Sequence, residues 1–120
     1  MTKVLVVDDS PTEMARFKEI LAKHSYDTVS AANGVEGYEM AVKHLPDVIL
    51  MDVVMPEMNG FQATRKITRD KHTAHIPVVI VSTKNQETDR VWGKRQGAKE
   101  YLTKPVDEEE LIRVIHAVME

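Results

Sequence analysis

The chain has 120 residues, 42% of them hydrophobic and 29% charged, with a net charge of −3. That length suits one domain with a real core, residues 1–120, and the acidic balance offers no basic excess for a nucleic-acid backbone. With no cysteine there is no disulfide framework, thiolate nucleophile or cysteine zinc site. No apolar run approaches the ~20 residues of a membrane-spanning helix, and no signal-peptide pattern opens the chain, so a cytoplasmic protein without membrane insertion is expected.

In chain order, Val4–Val7 reads as a buried strand that ends on two adjacent carboxylates, Asp8 and Asp9. Ser10-Pro11-Thr12-Glu13 follows with the signature of a capping box and proline at the first helical position. Met14, Phe17 and Leu21 continue at helical spacing. Thr28–Ala32 is a weaker strand that runs into Asn33-Gly34, and Val35, Tyr38, Val42 and Leu45 make a second helical stripe. Val48–Met51 is a strand ending on Asp52, followed by a third stripe of Phe61, Thr64 and Ile67. Pro77 introduces the β-branched run Val78–Val81, which ends on Ser82 and Thr83. Gln86–Gln96 reads as a helix with a weak hold on the core, having only Val91 and Trp92 as large apolar residues and Gly97 to stop it. Tyr101–Thr103 leads to Lys104-Pro105, and Asp107 and Glu110 cap a last helix with Leu111, Val114, Ile115 and Val118 on one face.

Five alternations of strand and helix predict an open α/β sandwich, and short strands apolar on both sides predict a parallel sheet covered on each face. Right-handed crossovers favour the doubly wound order 2-1-3-4-5. Ligands in such sheets bind where the chain reverses, outside the carboxyl ends of the strands. In that order Asp8, Asp9, Asp52, Ser82 and Lys104 fall on one rim, with strand 2 at the outer edge contributing nothing obviously chemical.

Two like charges 4 Å apart repel by roughly 4 kcal/mol at an effective dielectric near 20. One lysine offsets part of that in a cluster of three carboxylates, and a divalent ion offsets far more. Oxygen donors without histidine or cysteine favour a hard cation, Mg²⁺ with several retained waters. A carboxylate beside such an ion is a known nucleophile toward phosphorus, and charge in phosphoryl transfer is met by cations and hydrogen-bond donors. Asp52 as nucleophile, Mg²⁺ and Lys104 as cations and Ser82 as donor make a complete set. No glycine-rich phosphate cradle follows the first strand, which argues against nucleotide binding in the P-loop or dinucleotide style.

The run VVDDS, then DVILMDVVMPEMNG, then VVIVST, then YLTKP resembles the receiver domain of bacterial two-component response regulators, the CheY-like superfamily. The resemblance spans the whole chain and implies a (βα)₅ flavodoxin-like fold. It further implies that Asp9 and Asp52 bind Mg²⁺ directly, that Asp8 acts mostly through water, and that the Val54 backbone carbonyl is a third protein ligand. By the same resemblance Asp52 accepts a phosphoryl group from a histidine kinase, Ser82 is the switch hydroxyl, Lys104 contacts the phosphate, Tyr101 changes rotamer on activation, and the Lys104-Pro105 peptide is cis. A narrower resemblance to twitching-motility regulators rests on SPTEM, NGFQATR and QETDRVWGKRQGAKEYLTKPVDEEEL. It implies a chemotaxis-type kinase partner and control of type IV pilus movement. Output is expected through a protein target on the surface of the fourth helix, fifth strand and fifth helix, without an appended DNA-binding domain, from a monomer that catalyses only its own phosphorylation and dephosphorylation.

Blander readings stand beside these. An acidic pair after a strand is commonly a solvated turn or a helix cap, and Lys104 or Ser82 alone would be ordinary surface groups. His72 and His75 read as loop residues rather than metal ligands, and Trp92 fits either the core or a partner surface. Val54 and Lys84 flank the centre at positions that influence how water reaches the phosphoryl group. A Mg²⁺-dependent phosphohydrolase and a binding module that is never phosphorylated are the competing functions.

Overall fold

The computed structural model describes residues 1–120. Its elements run β1 (Lys3–Val7), α1 (Pro11–Lys23), β2 (Asp27–Ala31), α2 (Gly34–His44), β3 (Val48–Met51), α3 (Gly60–Arg69), β4 (Val78–Ser82), α4 (Glu87–Arg95), β5 (Glu100–Thr103) and α5 (Glu108–Met119). The five strands form one parallel sheet in the order β2-β1-β3-β4-β5. The expected topology is therefore present, with β2 at one edge and β1 beside β3.

Alternation along the strands splits the core in two. Leu5, Val7, Ile49, Met51, Val78 and Ile80 point to one face, where Ala41, Ala63 and Ile67 of α2 and α3 cover them. Val4, Val6, Val48, Leu50, Val79 and Val81 point to the other, against Phe17, Ile20 and Leu21 of α1 and Leu111 and Ile115 of α5. The right-handed crossovers set this division: the connection from β1 to β2 runs one way along the sheet and those from β2 onward run the other, which leaves α1 on one face and α2 and α3 on the opposite one.

Two local expectations need correction. Most of the apolar stripe read on α2 does not face the sheet: Val35, Val42 and Leu45 are exposed, Tyr38 alone of the four is half-buried against the core, and Gly34, Gly37 and Ala41 are the buried residues. Small side chains let the helix backbone approach β1, and the larger ones are left outside. A Cβ on Gly37 would lie 2.9 Å from Val7 Cγ2, so Gly37→Ala is expected to cost about 1–3 kcal/mol by overpacking, read as a lower midpoint in urea unfolding. At α1, Ser10 accepts from the Glu13 N–H at 3.3 Å as expected. The reciprocal half of the capping box is missing, because the Glu13 carboxylate turns toward Lys104, 3.9 Å away. A reciprocal box forms instead on α3 between Asn59 and Gln62.

α4 holds the core weakly, as its composition suggests: Gly93 is its one buried residue, Trp92 is 48% exposed, and Gly97 at φ 109 follows its end. His72 and His75 are exposed turn residues, and neither belongs to a group that could hold a metal.

Candidate functional site

Asp8, Asp52 and Lys104 are each placed at the rim by a backbone hydrogen bond that extends a strand ladder. The Asp8 N–H donates to Ala31 O at 3.0 Å, Asp52 N–H to Val7 O at 2.9 Å and Lys104 N–H to Ser82 O at 2.9 Å. The ladders of the sheet thus run on through these residues before the chain turns away, and their side chains emerge side by side. Lys104-Pro105 is a cis peptide.

Carboxylate oxygens of Asp8, Asp9 and Asp52 lie within 4.8 Å of one another. Asp8 is buried with both oxygens engaged: one accepts from the Ser10 N–H at 2.9 Å, the other from Lys104 Nζ at 2.8 Å. Lys104 Nζ also reaches Asp52 at 3.4 Å. Asp9 is exposed and has no hydrogen-bond or ion-pair partner. One ammonium therefore serves Asp8, Asp52 and, at 3.9 Å, Glu13, and leaves Asp9 without a cation.

The electrostatics show the imbalance. Burial pushes the Asp52 carboxyl up to about 6; Lys104 pulls against that rise, and the charge of Asp8 adds to it. Burial opposes the charge on Lys104, yet its hydrogen bond to Asp8 and the charges of Asp52, Asp8 and Glu13 outweigh it and raise the ammonium pKa. A rim with surplus negative charge, all-oxygen donors and one unpartnered carboxylate fits a hard divalent cation such as Mg²⁺. Asp8, Asp9 and Asp52 are the side chains that would hold it.

Ser82 is fully buried at the end of β4, where its Oγ accepts from the Lys84 N–H at 3.1 Å. Tyr101 is buried too, and its hydroxyl donates to the Lys84 carbonyl at 2.7 Å. Val54 is 59% exposed just beyond Asp52. The hollows at this rim are small: about 200 Å³ beside Asp8 and Asp9, and about 270 Å³ among Val53, Val54, Met55, Asn59, Phe61 and Lys84. Pockets that enclose a small-molecule ligand run to ~300–1,000 Å³. Neither hollow reaches that size.

Sequence reasoning did not find Glu13 as a neighbour of Lys104 or Arg90 as a neighbour of Tyr101. Glu13 looked like half of a capping box, and Arg90 sat in a helix that read as solvated on most sides.

A parallel sheet of this order with acids at the reversal point defines a class, and sequence comparison supplies the same one: the chain belongs to the response regulator receiver domain family, which matches residues 4–116. Receiver domains are signalling modules rather than classical enzymes. Among individual relatives, the protein PilH of Pseudomonas aeruginosa is 58% identical over 119 residues, covering 99% of this chain and 98% of PilH. The solved chemotaxis protein CheY4 of Vibrio cholerae superposes with a TM-score of 0.92 at 32% identity, covering 98% of each chain. A receiver domain of a sensor histidine kinase from Pseudomonas aeruginosa PAO1 superposes with a TM-score of 0.91 at 26% identity, over 98% of this chain and 97% of that one. That structure holds a magnesium ion coordinated in its active-site cleft.

Proposed function

We propose that residues 1–120 act as a single receiver domain that accepts a phosphoryl group on Asp52 from a chemotaxis-type histidine kinase and signals through a protein partner, in the control of twitching motility. The observation that carries this reading is the convergence of Asp8, Asp9 and Asp52 on one another with Lys104 among them. Similarity to PilH over nearly its whole length supports the pilus assignment.

Asp52 is the group placed for attack. As its carboxylate oxygen bonds to phosphorus, the bond from phosphorus to the kinase imidazole nitrogen breaks, and the histidine leaves with the electron pair. A bound Mg²⁺ would neutralise the carboxylates and the phosphoryl oxygens as their charges are brought together. Lys104, already bridging Asp8 and Asp52, is placed to pair with a phosphoryl oxygen. Ser82 offers a hydroxyl on the neighbouring strand. The Val54 carbonyl is proposed as a further metal ligand because Val54 follows Asp52 by two residues on the same loop. Signalling would follow from repacking of the α4–β5–α5 surface, through Tyr101.

The test is incubation with acetyl phosphate and Mg²⁺, read by intact-mass spectrometry. One phosphate per chain, lost when EDTA removes the metal, is expected. Many turnovers of a small phosphate ester per chain would favour the phosphohydrolase, and a chain that never gains mass would leave the binding module. Lys104→Met is expected to slow uptake by about 10²–10³-fold without abolishing it, since one cation of the set is lost.

A further inference from the structure

α2 packs on β1 and β2 with α3 beside it, and the outward surfaces of the two helices differ in kind. Val35, Val42 and Leu45 follow one stripe along α2 and its C-cap, and all three are exposed. No other helix exposes three large apolar side chains. On α3, Gln62, Arg65, Lys66 and Arg69 recur at i, i+3, i+4 and i+7, which gathers them on one exposed face. None of the three cations has an ion-pair partner. The chain around them carries a net charge of −3.

Tyr38, from the α2 stripe, joins the two rows. Its hydroxyl donates to Asp70, just beyond α3, and Lys66 Nζ stands 4.4 Å from its ring centroid. With Gln62, Arg65, Lys66, Arg69 and Asp70 it lines the largest hollow of the molecule, about 430 Å³. Asp70, the one carboxylate there, is already engaged: one oxygen accepts from Tyr38 and the other from the His72 N–H at 2.8 Å. Like charges spaced at i,i+4 weaken a helix, and an exposed apolar patch rimmed by polar groups marks an interaction site. Each row is thus unfavourable in the free protein, and one ligand relieves both. An arginine fork fits a carboxylate or a phosphate alike, but a phosphate leaves the apolar stripe uncovered.

We propose that the groove between α2 and α3 is a docking surface for an amphipathic acidic segment of a partner protein, its apolar side chains along Val35, Val42 and Leu45 and its carboxylates against Arg65, Lys66 and Arg69. Val35 to Leu45 spans about 15 Å, room for about three turns of a partner helix laid alongside. Every group invoked lies outside the acidic rim and outside α4, β5 and α5. The surface is therefore separate from the output face proposed above, and a partner held there stays in place whichever state Asp52 is in.

The experiment is an amide NMR titration of the full chain with a synthetic helical peptide that carries leucines on one face and glutamates on the other. Saturable shifts confined to α2 and α3 are expected, and they should weaken as salt is raised, since attraction between exposed charges is screened. The double charge reversal, Arg65→Glu with Arg69→Glu, should lower the affinity by about ten-fold or more. Val42→Ser should lower it by about three-fold. All three positions are exposed, so both variants should keep the fold and take up phosphate from acetyl phosphate at the wild-type rate. No saturable shift, shifts centred on α4, β5 and α5, or binding that ignores the charge reversal overturns the proposal. An equal response to a peptide with lysines in place of the glutamates overturns it too. Inorganic phosphate producing the same shifts would make this an anion site instead, and self-association broken by the charge reversal in sedimentation velocity would make the occupant a second copy of the chain; either result also overturns it.

Discussion

Asp52→Asn is expected to gain no phosphate from acetyl phosphate and Mg²⁺ under conditions in which the wild type gains one per chain. The substitution keeps the size and shape of the side chain and removes the anionic oxygen that would form the bond to phosphorus. Nothing else at the rim can substitute for it easily. Asp8 has one oxygen committed to the Ser10 N–H and the other to Lys104, and Asp9 is open to solvent without a cation beside it. The loss should therefore be complete, in contrast to the graded effect of removing Lys104. Circular dichroism should show an intact fold, since Asp52 joins the sheet through its backbone N–H to Val7 and asparagine retains that bond. Uptake by the asparagine variant at a rate near the wild-type rate would place the acceptor elsewhere.

The second large effect concerns stability in the absence of divalent ions. The Asp52 carboxyl rises from 3.8 to about 6 on folding. Below pH 3.8 both the folded and unfolded forms hold the proton. Between 3.8 and about 6 the folded chain keeps a proton that the unfolded chain has lost, so stability falls as pH rises. Above about 6 both are ionised, and the whole penalty, about 3 kcal/mol, remains. Asparagine does not titrate, so Asp52→Asn should gain on the wild type by about this amount between pH 4 and pH 7, measured by urea unfolding in EDTA. Mg²⁺ at 100 times its dissociation constant should then restore about 2.7 kcal/mol to the wild type. A difference between the two proteins that stays flat with pH would mean that the rim carries no uncompensated charge.

Why some of this could be read from the sequence and some could not follows from what each residue answers to. Strands such as Val48–Met51 and Val78–Ser82 are legible because a parallel strand buried on both faces must be apolar throughout. The residues just after them are legible for the opposite reason: a carboxylate or ammonium at the end of such a strand is costly unless a neighbour compensates it, and the strand order says which strand ends are neighbours. α2 misled because helical periodicity reveals a face without saying which way it points. Val35, Val42 and Leu45 are outside, and close packing on Val7 and its neighbours is made by glycine and alanine. Glu13 and Arg90 were illegible for another reason. Each satisfies a group far away in sequence, Lys104 and Thr103, and a local motif cannot report a partner that only folding brings near.

The most direct test of the central claim is to trap the acyl phosphate with borohydride, which reduces an aspartyl phosphate to homoserine, and to map the modified residue by peptide mass spectrometry. The account predicts homoserine at position 52, formed only when Mg²⁺ was present during phosphorylation. Homoserine at position 8 or 9, or phosphate retained on a residue that borohydride does not reduce, would contradict it.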